Sequence, residues 1–324
     1  MDYGLIYNHI LNIPPGVALR PTGKKSHGSM AFVCKPFCRR ETLKHIFGID
    51  DNDTWFDEAF RQVTAGKGME IRRIMTLHSS SMLGLLIFHS VESHPVIVAG
   101  VRYVRAFFEV ESRVFDSNSS VDVMLVSEDG NTLLFLELKF TEFLSPSAYY
   151  RITGKYHNLY SSMGDILSES NIRVGDIEKR KKRNGESAVE FKISGYDGVP
   201  QYFCGVKQLI SHAIGLMQAP LSGNKTLYDR YIRNRNPKII LGTMLYDSSG
   251  LHAALKSYCQ SYSNLYISIF SKSTRIKECI RTSFNLYDYT DIEIFDRPLT
   301  YQADISGADG CMPFLPKVKS FYRL

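Results

Sequence analysis

An α/β (α+β) fold, with one mixed sheet flanked by helices, is predicted for this chain from three observations. A nearly all-apolar helical stretch, Met82–Val91, leads into three strand-like segments between residues 101 and 140. An amphipathic helical pattern over 201–219 follows, closed by Pro220, and then a buried strand pattern over Pro237–Asp247. The order helix, three strands, helix, strand covers both faces of a single sheet.

Taken in order, residues 1–70 form a basic leading region broken by Pro14-Pro15-Gly16 and Pro21-Thr22-Gly23. Arg20, Lys24, Lys25, Lys35, Arg39, Arg40 and Lys44 face a single acid, Glu41, over residues 20–44. Such an arm suits contact with phosphates, because cations on nucleic acid release counterions; a solvated, irregular lead-in is the alternative. Short helices are predicted near 40–47 and 54–63. Residues 69–92 read as helical, with Ser79–Ser81 as a possible N-cap and Pro95 as the stop. His78, His89 and His94 read as core or boundary residues rather than ligands.

Residues 101–115 alternate as a long strand, with Glu109 and Glu111 on one face beside Arg105 and Arg113. Residues 141–200 read as an insertion, rich in tyrosine, with a helix expected around Tyr149–Leu167. It carries five consecutive cations, Lys179, Arg180, Lys181, Lys182 and Arg183, which read as a solvated loop or as a DNA-backbone contact. The helix over 201–219 buries a stripe including Phe203, Val206, Leu209 and Ile210, and leaves Gln208 and His212 one turn apart on its flank. Residues 251–324 read as a helix, a strand over Leu265–Phe270, a helix near Arg275–Thr282 and an aromatic tail. The organisation expected is a basic region (1–70), a core (71–250) with an insertion at 141–200, and an extension (251–324) packed on the core.

Composition narrows the functional classes. The 324 residues carry a formal charge of +6, with 44% hydrophobic and 22% charged residues, which suits a globular chain with a phosphate-bearing partner. Six cysteines lie scattered without paired CxxC spacing, so reduced thiols and a cytoplasmic location are expected. No signal-peptide pattern and no run long enough to span a membrane is visible, and no membrane partner is expected. Glycine-rich nucleotide loops, a GxSxG elbow and HExxH are also absent, which removes the usual signatures of motors, dehydrogenases, serine hydrolases and zincins.

The chemistry concentrates in Ser120–Phe140. Two apolar runs, Val121–Val126 and Leu133–Leu136, flank Asp129-Gly130, a hairpin signal that predicts a type I′ turn with positive φ at both central residues. With those two residues as the loop, facing numbers add to 259, and Asp122 lies across from Glu137. Alternation puts Lys139 on the same face as Glu137. Two opposed carboxylates and an amine in an otherwise apolar sheet need a partner, and hard oxygen ligands suit Mg²⁺. A second acid-x-Lys tripeptide, Glu190-Phe191-Lys192, sits in a cleanly alternating, half-exposed strand and reads as structural.

Asp122, followed after fourteen residues by Glu137-Leu138-Lys139 across an antiparallel hairpin, resembles the PD-(D/E)XK nuclease superfamily, bacterial restriction-endonuclease-like proteins in particular. Val121 stands where the family name has proline. The resemblance implies an αβββαβ core with Asp122, Glu137 and the Leu138 carbonyl as ligands of Mg²⁺ (or Mn²⁺), and Lys139 positioning the attacking water. It implies a further upstream acid, Glu111 as first choice with Glu109 on the same face, and a role for Gln208 on the second helix. The activity implied is DNA phosphodiester hydrolysis by a restriction-type endonuclease. The alternatives are a repair or recombination nuclease of the same fold, or a non-catalytic nucleic-acid-binding protein with a structural charge network. A homodimer suits palindrome cutting, although the sequence shows no dimerisation signature.

Overall fold

The computed structural model describes residues 13, 16–21, 30–33, 38–65, 74–77, 79–114, 117–140, 146–181, 185–219, 236–246, 253–309 and 316–322. A two-stranded ribbon, β1 (Leu19–Pro21) with β2 (Met30–Phe32), precedes helices α1 (Arg39–Phe47), α2 (Thr54–Ala65) and α3 (Ser80–Phe88). Strands β3 (Val96–Val98), β4 (Val101–Val114), β5 (Ser117–Ser127) and β6 (Thr132–Lys139) follow. The inserted region holds β7 (Tyr149–Thr153), α4 (His157–Ser162), α5 (Gly164–Glu169), β8 (Ile172–Val174), β9 (Glu178–Lys181) and β10 (Ser187–Gly195). Then come α6 (Phe203–Met217), β11 (Lys238–Leu245), α7 (Ala253–Phe270), α8 (Ser273–Ser283), β12 (Glu293–Ile294), β13 (Leu299–Thr300), β14 (Ile305–Gly307) and α9 (Pro316–Tyr322).

The main sheet is mixed and eight-stranded, in the order β12-β11-β6-β5-β4-β3-β14, with β13 also pairing β11. β4, β5 and β6 run as an antiparallel meander, and β11 joins β6 in parallel from Lys238↔Thr132 to Leu245↔Lys139. A parallel neighbour needs a crossover, and α6 lies on that connection. Helix α3 packs on β4, β5 and β6, while α6 packs on β4, β5 and β11. β6 is therefore buried on both sides from Leu133 onward.

α3 starts at the N-cap the sequence suggests, but residues 74–77, expected to be helical, form a turn in which Thr76 bridges Ala31. The Ser79 hydroxyl accepts the Met82 N–H at 3.1 Å, and every residue from Met82 to Phe88 is buried, so the helix needs no polar face. The hairpin register also matches expectation: Val123↔Leu136 through Val126↔Leu133 all sum to 259. Its turn does not. Only Gly130 has positive φ (71°), and the Gly130 N–H reaches back to the Ser127 carbonyl at 2.9 Å. Asp129 caps the bend from its side chain instead, accepting the Ser127 hydroxyl at 2.6 Å and the Asn131 N–H at 2.9 Å. An aspartate that closes an Asx turn has no need of the left-handed region.

Three other expectations are corrected. Leu265–Phe270 is the end of α7, not a strand; Tyr262, Leu265, Tyr266, Ile269 and Phe270 are all buried, a helical stripe that outweighs β-rich local composition. Tyr149–Thr153 is a strand pairing β10, and the α-helix begins at His157 after a 3-10 turn over Gly154–Tyr156. Of the cationic run, Lys179–Lys181 belongs to strand β9, paired to β10 and exposed throughout; Lys182 and Arg183 lie outside the described residues.

The flanking regions complete the sheet and its core. Lys44, from the basic stretch, is buried in an ion pair with Asp57 at 2.7 Å. Arg40 pairs with Glu41 at 2.7 Å and Asp57 at 3.5 Å, and Arg39 is half-buried in the first turn of α1. Lys24 and Lys25 lie outside the described residues. At the other end of the chain, β14 extends one edge of the sheet while β12 and β13 extend the other. Phe321 and Tyr322 of α9 pack on Phe47 and Phe140. Among the described residues, no helix is long and apolar enough to cross a membrane.

Candidate active site

The β5–β6 ladder stops at Val123↔Leu136, one step short of Asp122 and Glu137. There the Asp122 side chain takes over a ladder bond: its Oδ2 accepts the Leu138 N–H at 2.7 Å. A residue's N–H and C=O point toward the same neighbour in a strand, so the Leu138 carbonyl is aimed at the β5 side too. The Lys139 carbonyl points the other way and accepts the Tyr246 N–H at 2.9 Å. The Leu138 side chain turns toward α3, where a Cβ added at Gly84 would sit 2.4 Å from its Cδ1. Glu137 and Lys139 face α6.

On that face the three side chains do not stand alone. Lys139 Nζ donates to Glu137 Oε1 at 2.6 Å and to Gln208 Oε1 at 2.9 Å. Gln208 Nε2 donates to Glu137 Oε1 at 2.8 Å, and His212 Nε2 lies 2.8 Å from Glu137 Oε2. His212 Nδ1 is 2.8 Å from the Ser119 hydroxyl on β5. Cys204, one turn before Gln208, lies 3.4 Å from Gln208 Oε1 and 3.9 Å from the Tyr150 hydroxyl. Glu137, Lys139 and His212 are only 3%, 2% and 3% exposed, so this is a buried network with its charges paired.

Of the two upstream glutamates, Glu109 and not Glu111 lies beside Asp122. The β4–β5 register runs Phe108↔Val123 and Val110↔Val121, which brackets Glu109 against Asp122. Glu109 holds φ at +49°, an uncommon backbone state for a non-glycine residue, and its Oε1 accepts the Ser81 hydroxyl from α3 at 3.0 Å. Glu111 stands two rungs on, across from Ser120, exposed and bonded to Asn118 at 2.6 Å. The regular alternation expected for β4 fails because its register slips near Tyr103/Arg105 and its backbone turns at Glu109.

The electrostatics separate the two carboxylates. Burial, together with the Glu137 and Glu109 charges, raises the Asp122 pKa well above the usual carboxylate range. Burial would also raise Glu137, but the Lys139 ammonium and His212 outweigh it and bring it down to about 2. Burial lowers the Lys207 ammonium, which is near enough to Glu137 and Cys204 to feel both. Burial also pushes the Tyr150 hydroxyl up to about 12.

In kind, these donors fit a hard divalent cation: carboxylates from three adjacent strands, and a crowd of negative charge at Asp122 that a cation would relieve. The Thr243 hydroxyl is fully buried across from Glu137 on the β11 side of β6 and has no hydrogen-bond partner among the described residues. In arrangement the site is closed, since Glu137 is committed to Lys139, Gln208 and His212. Among the described residues, no three His, Cys, Asp or Glu side chains form a ready ligand set. Holding a cation requires Glu137 to exchange one of these partners.

Sequence reasoning placed Asp122, Glu137, Lys139 and Gln208 together, and the structure joins all four. It set His212 beside Gln208 on the flank of the helix without a role of its own, and it missed Ser119 and Tyr150. The available signal for His212 was its i+4 spacing from Gln208 on a helix otherwise apolar on nearly every side. Compared with protein-family models, with curated proteins and with solved structures, the chain matches none.

Proposed function

We propose that the protein is a Mg²⁺-dependent deoxyribonuclease of the PD-(D/E)XK kind, acting as a restriction-type endonuclease. One observation carries this reading: the hairpin register brings Asp122 to the backbone of Glu137-Leu138-Lys139, with Glu109 as a third carboxylate beside it. Asp122, Glu137 and the Leu138 carbonyl would hold the ion, with Glu109 in the place first assigned to Glu111. Mg²⁺, or Mn²⁺ in its stead, supplies Lewis-acid polarisation of the scissile phosphate and a more acidic bound water. Lys139, steadied by Gln208, would direct its ammonium at the attacking water once Glu137 exchanges it for the ion. Cations of the 20–44 arm other than the buried, ion-paired Lys44, together with those of 179–183, hold the DNA backbone. A homodimer and a cytoplasmic location belong to the same proposal.

The opposing reading is a non-catalytic nucleic-acid-binding protein in which Glu137, Lys139, His212 and Gln208 are a structural network. It is favoured by their near-complete burial and by the full set of donors on Glu137. Incubation with plasmid in Mg²⁺ and in EDTA separates the two. Cleavage is expected in Mg²⁺ alone, with Asp122→Ala and Lys139→Ala each losing about a hundredfold or more while keeping salt-sensitive binding. Variants that cut like the parent would refute the site; a folded parent that cuts nothing with either ion leaves the network reading. Branched and methylated substrates distinguish a restriction-type enzyme from a repair nuclease.

A further inference from the structure

The inserted region forms a second sheet with β10 as its spine. β7 runs along one edge of β10, and β8 and β9 lie end to end along the other. One face is apolar: Ile152, Ile172, Phe191 and Ile193 are buried, and Tyr160 and His157 meet Phe191 edge-on. The opposite face is cationic. The registers set Arg151 beside Lys192, Arg180 beside Ala188, and Tyr149 and Arg173 on either side of Ser194.

Two acids, Glu178 and Glu190, share that face with the four cations. Glu178 takes Arg151 at 3.2 Å and Lys192 at 3.3 Å, whereas Arg173 and Arg180 are exposed and make no ion pair among the described residues. Tyr149 is 53% exposed, with the Arg151 guanidinium and the Lys192 ammonium 5.8 and 5.9 Å from its ring centroid. An edge strand protected against pairing needs only charges such as those of β9. An uncovered ring among cations on the far strand is not part of that device. It is what a strand with stackable bases and regular phosphates requires. From position 188 to 194 the stripe covers about 20 Å, at about 3.3 Å per residue. A duplex would fit less well, since its major groove admits a helix or a two-stranded ribbon rather than a broad sheet face.

We infer that this face is a platform for single-stranded DNA, with phosphates on Arg151, Arg173, Arg180 and Lys192 and a base stacked on Tyr149. The inference takes its ligand from the nucleic-acid reading above but does not depend on the metal chemistry. Fluorescence anisotropy tests it, using the full chain in EDTA with a labelled single-stranded oligonucleotide and its matched duplex across a range of salt. Tyr149→Ala is expected to weaken single-strand binding about fivefold or more. The double variant Arg173→Ala/Arg180→Ala, which breaks no ion pair among the described residues, is expected to reduce the salt slope for the single strand by about 1.4. Circular dichroism checks that each variant is folded. The platform is overturned if both platform variants bind like the parent, or if the parent prefers the duplex and Tyr149→Ala changes nothing. A parent that binds through this face yet never cuts DNA would uphold the platform and overturn only the nuclease reading.

Discussion

At the scale of single residues, burying Asp122 and Glu137 side by side moves their proton affinities in opposite directions, and stability should follow. Glu137, lowered in the folded state, contributes stability that is present above the ordinary carboxylate range and lost as pH falls through about 2. Asp122, raised in the folded state, does the reverse: its contribution is full below about pH 4, the ordinary aspartate range, and is lost as pH rises through its folded value. At neutral pH an ionised Asp122 therefore costs stability. Asp122→Asn, which keeps an oxygen for the Leu138 N–H, is expected to be about 1 kcal/mol more stable than the parent at about pH 8. That advantage should disappear near about pH 4. Melting temperatures across this range check it, and a variant less stable at the alkaline end would contradict the assigned environment of Asp122. The same side chain is the first proposed metal ligand, so stability and activity are expected to move apart on its removal.

At the scale of elements, the position of α6 decides whether Gln208 and His212 reach Glu137. The helix lies close to β4 at Gly215, where an added Cβ would fall 2.1 Å from the Ser112 hydroxyl oxygen and 2.9 Å from the Ser112 Cβ. Ser112 is itself buried and lies in a strand, so it has little room to withdraw. Gly215→Ala is expected to cost about 1–3 kcal/mol by overpacking. Because the helix would shift as a body, cleavage should fall as well, although residue 215 touches none of the site. A denaturant titration and a plasmid assay on the same preparation read both effects. The sequence showed α6 clearly through its apolar spacing, and its boundaries agree with the structure within a few residues. It could not show that the helix is covered on every side from Leu209 to Met217, because the insertion and the sheet close over it from distant parts of the chain. For that reason His212, polar and apparently flanking, is in fact buried against Glu137.

At the scale of the whole molecule, the C-terminal region is part of the sheet rather than an appendage, since it supplies strands to both edges. A cation held between β4, β5 and β6 would therefore stabilise the unit that carries the hydrophobic core. If Mg²⁺ or Mn²⁺ binds the folded protein, saturation at about a hundredfold over Kd adds about 2.7 kcal/mol. A rise in melting temperature is expected for the parent in Mg²⁺ and its absence for Asp122→Asn. Equal responses from the two proteins would place any ion elsewhere. This measurement does not require cleavage, so it tests the metal site separately from the reaction.

The sequence by itself determined the order of the main helices and strands of the core, though not the short β3 ahead of β4, as well as the hairpin register and the convergence of Asp122, Glu137 and Lys139. These follow from periodicity and from a two-residue side-chain repeat that any strand obeys. Tertiary structure alone decided that Glu109 and not Glu111 lies beside Asp122, because a left-handed backbone at one residue undoes the alternation on which the choice rested. It decided that Tyr149–Thr153 and Glu178–Lys181 are strands of a second sheet, since short polar segments gain order only from their neighbours. It also decided that the site is closed, with Lys139, Gln208 and His212 all on Glu137: burial in a medium that cannot solvate charge forces every ionised group onto a partner, and which partners are in reach is set by packing between segments far apart in the chain.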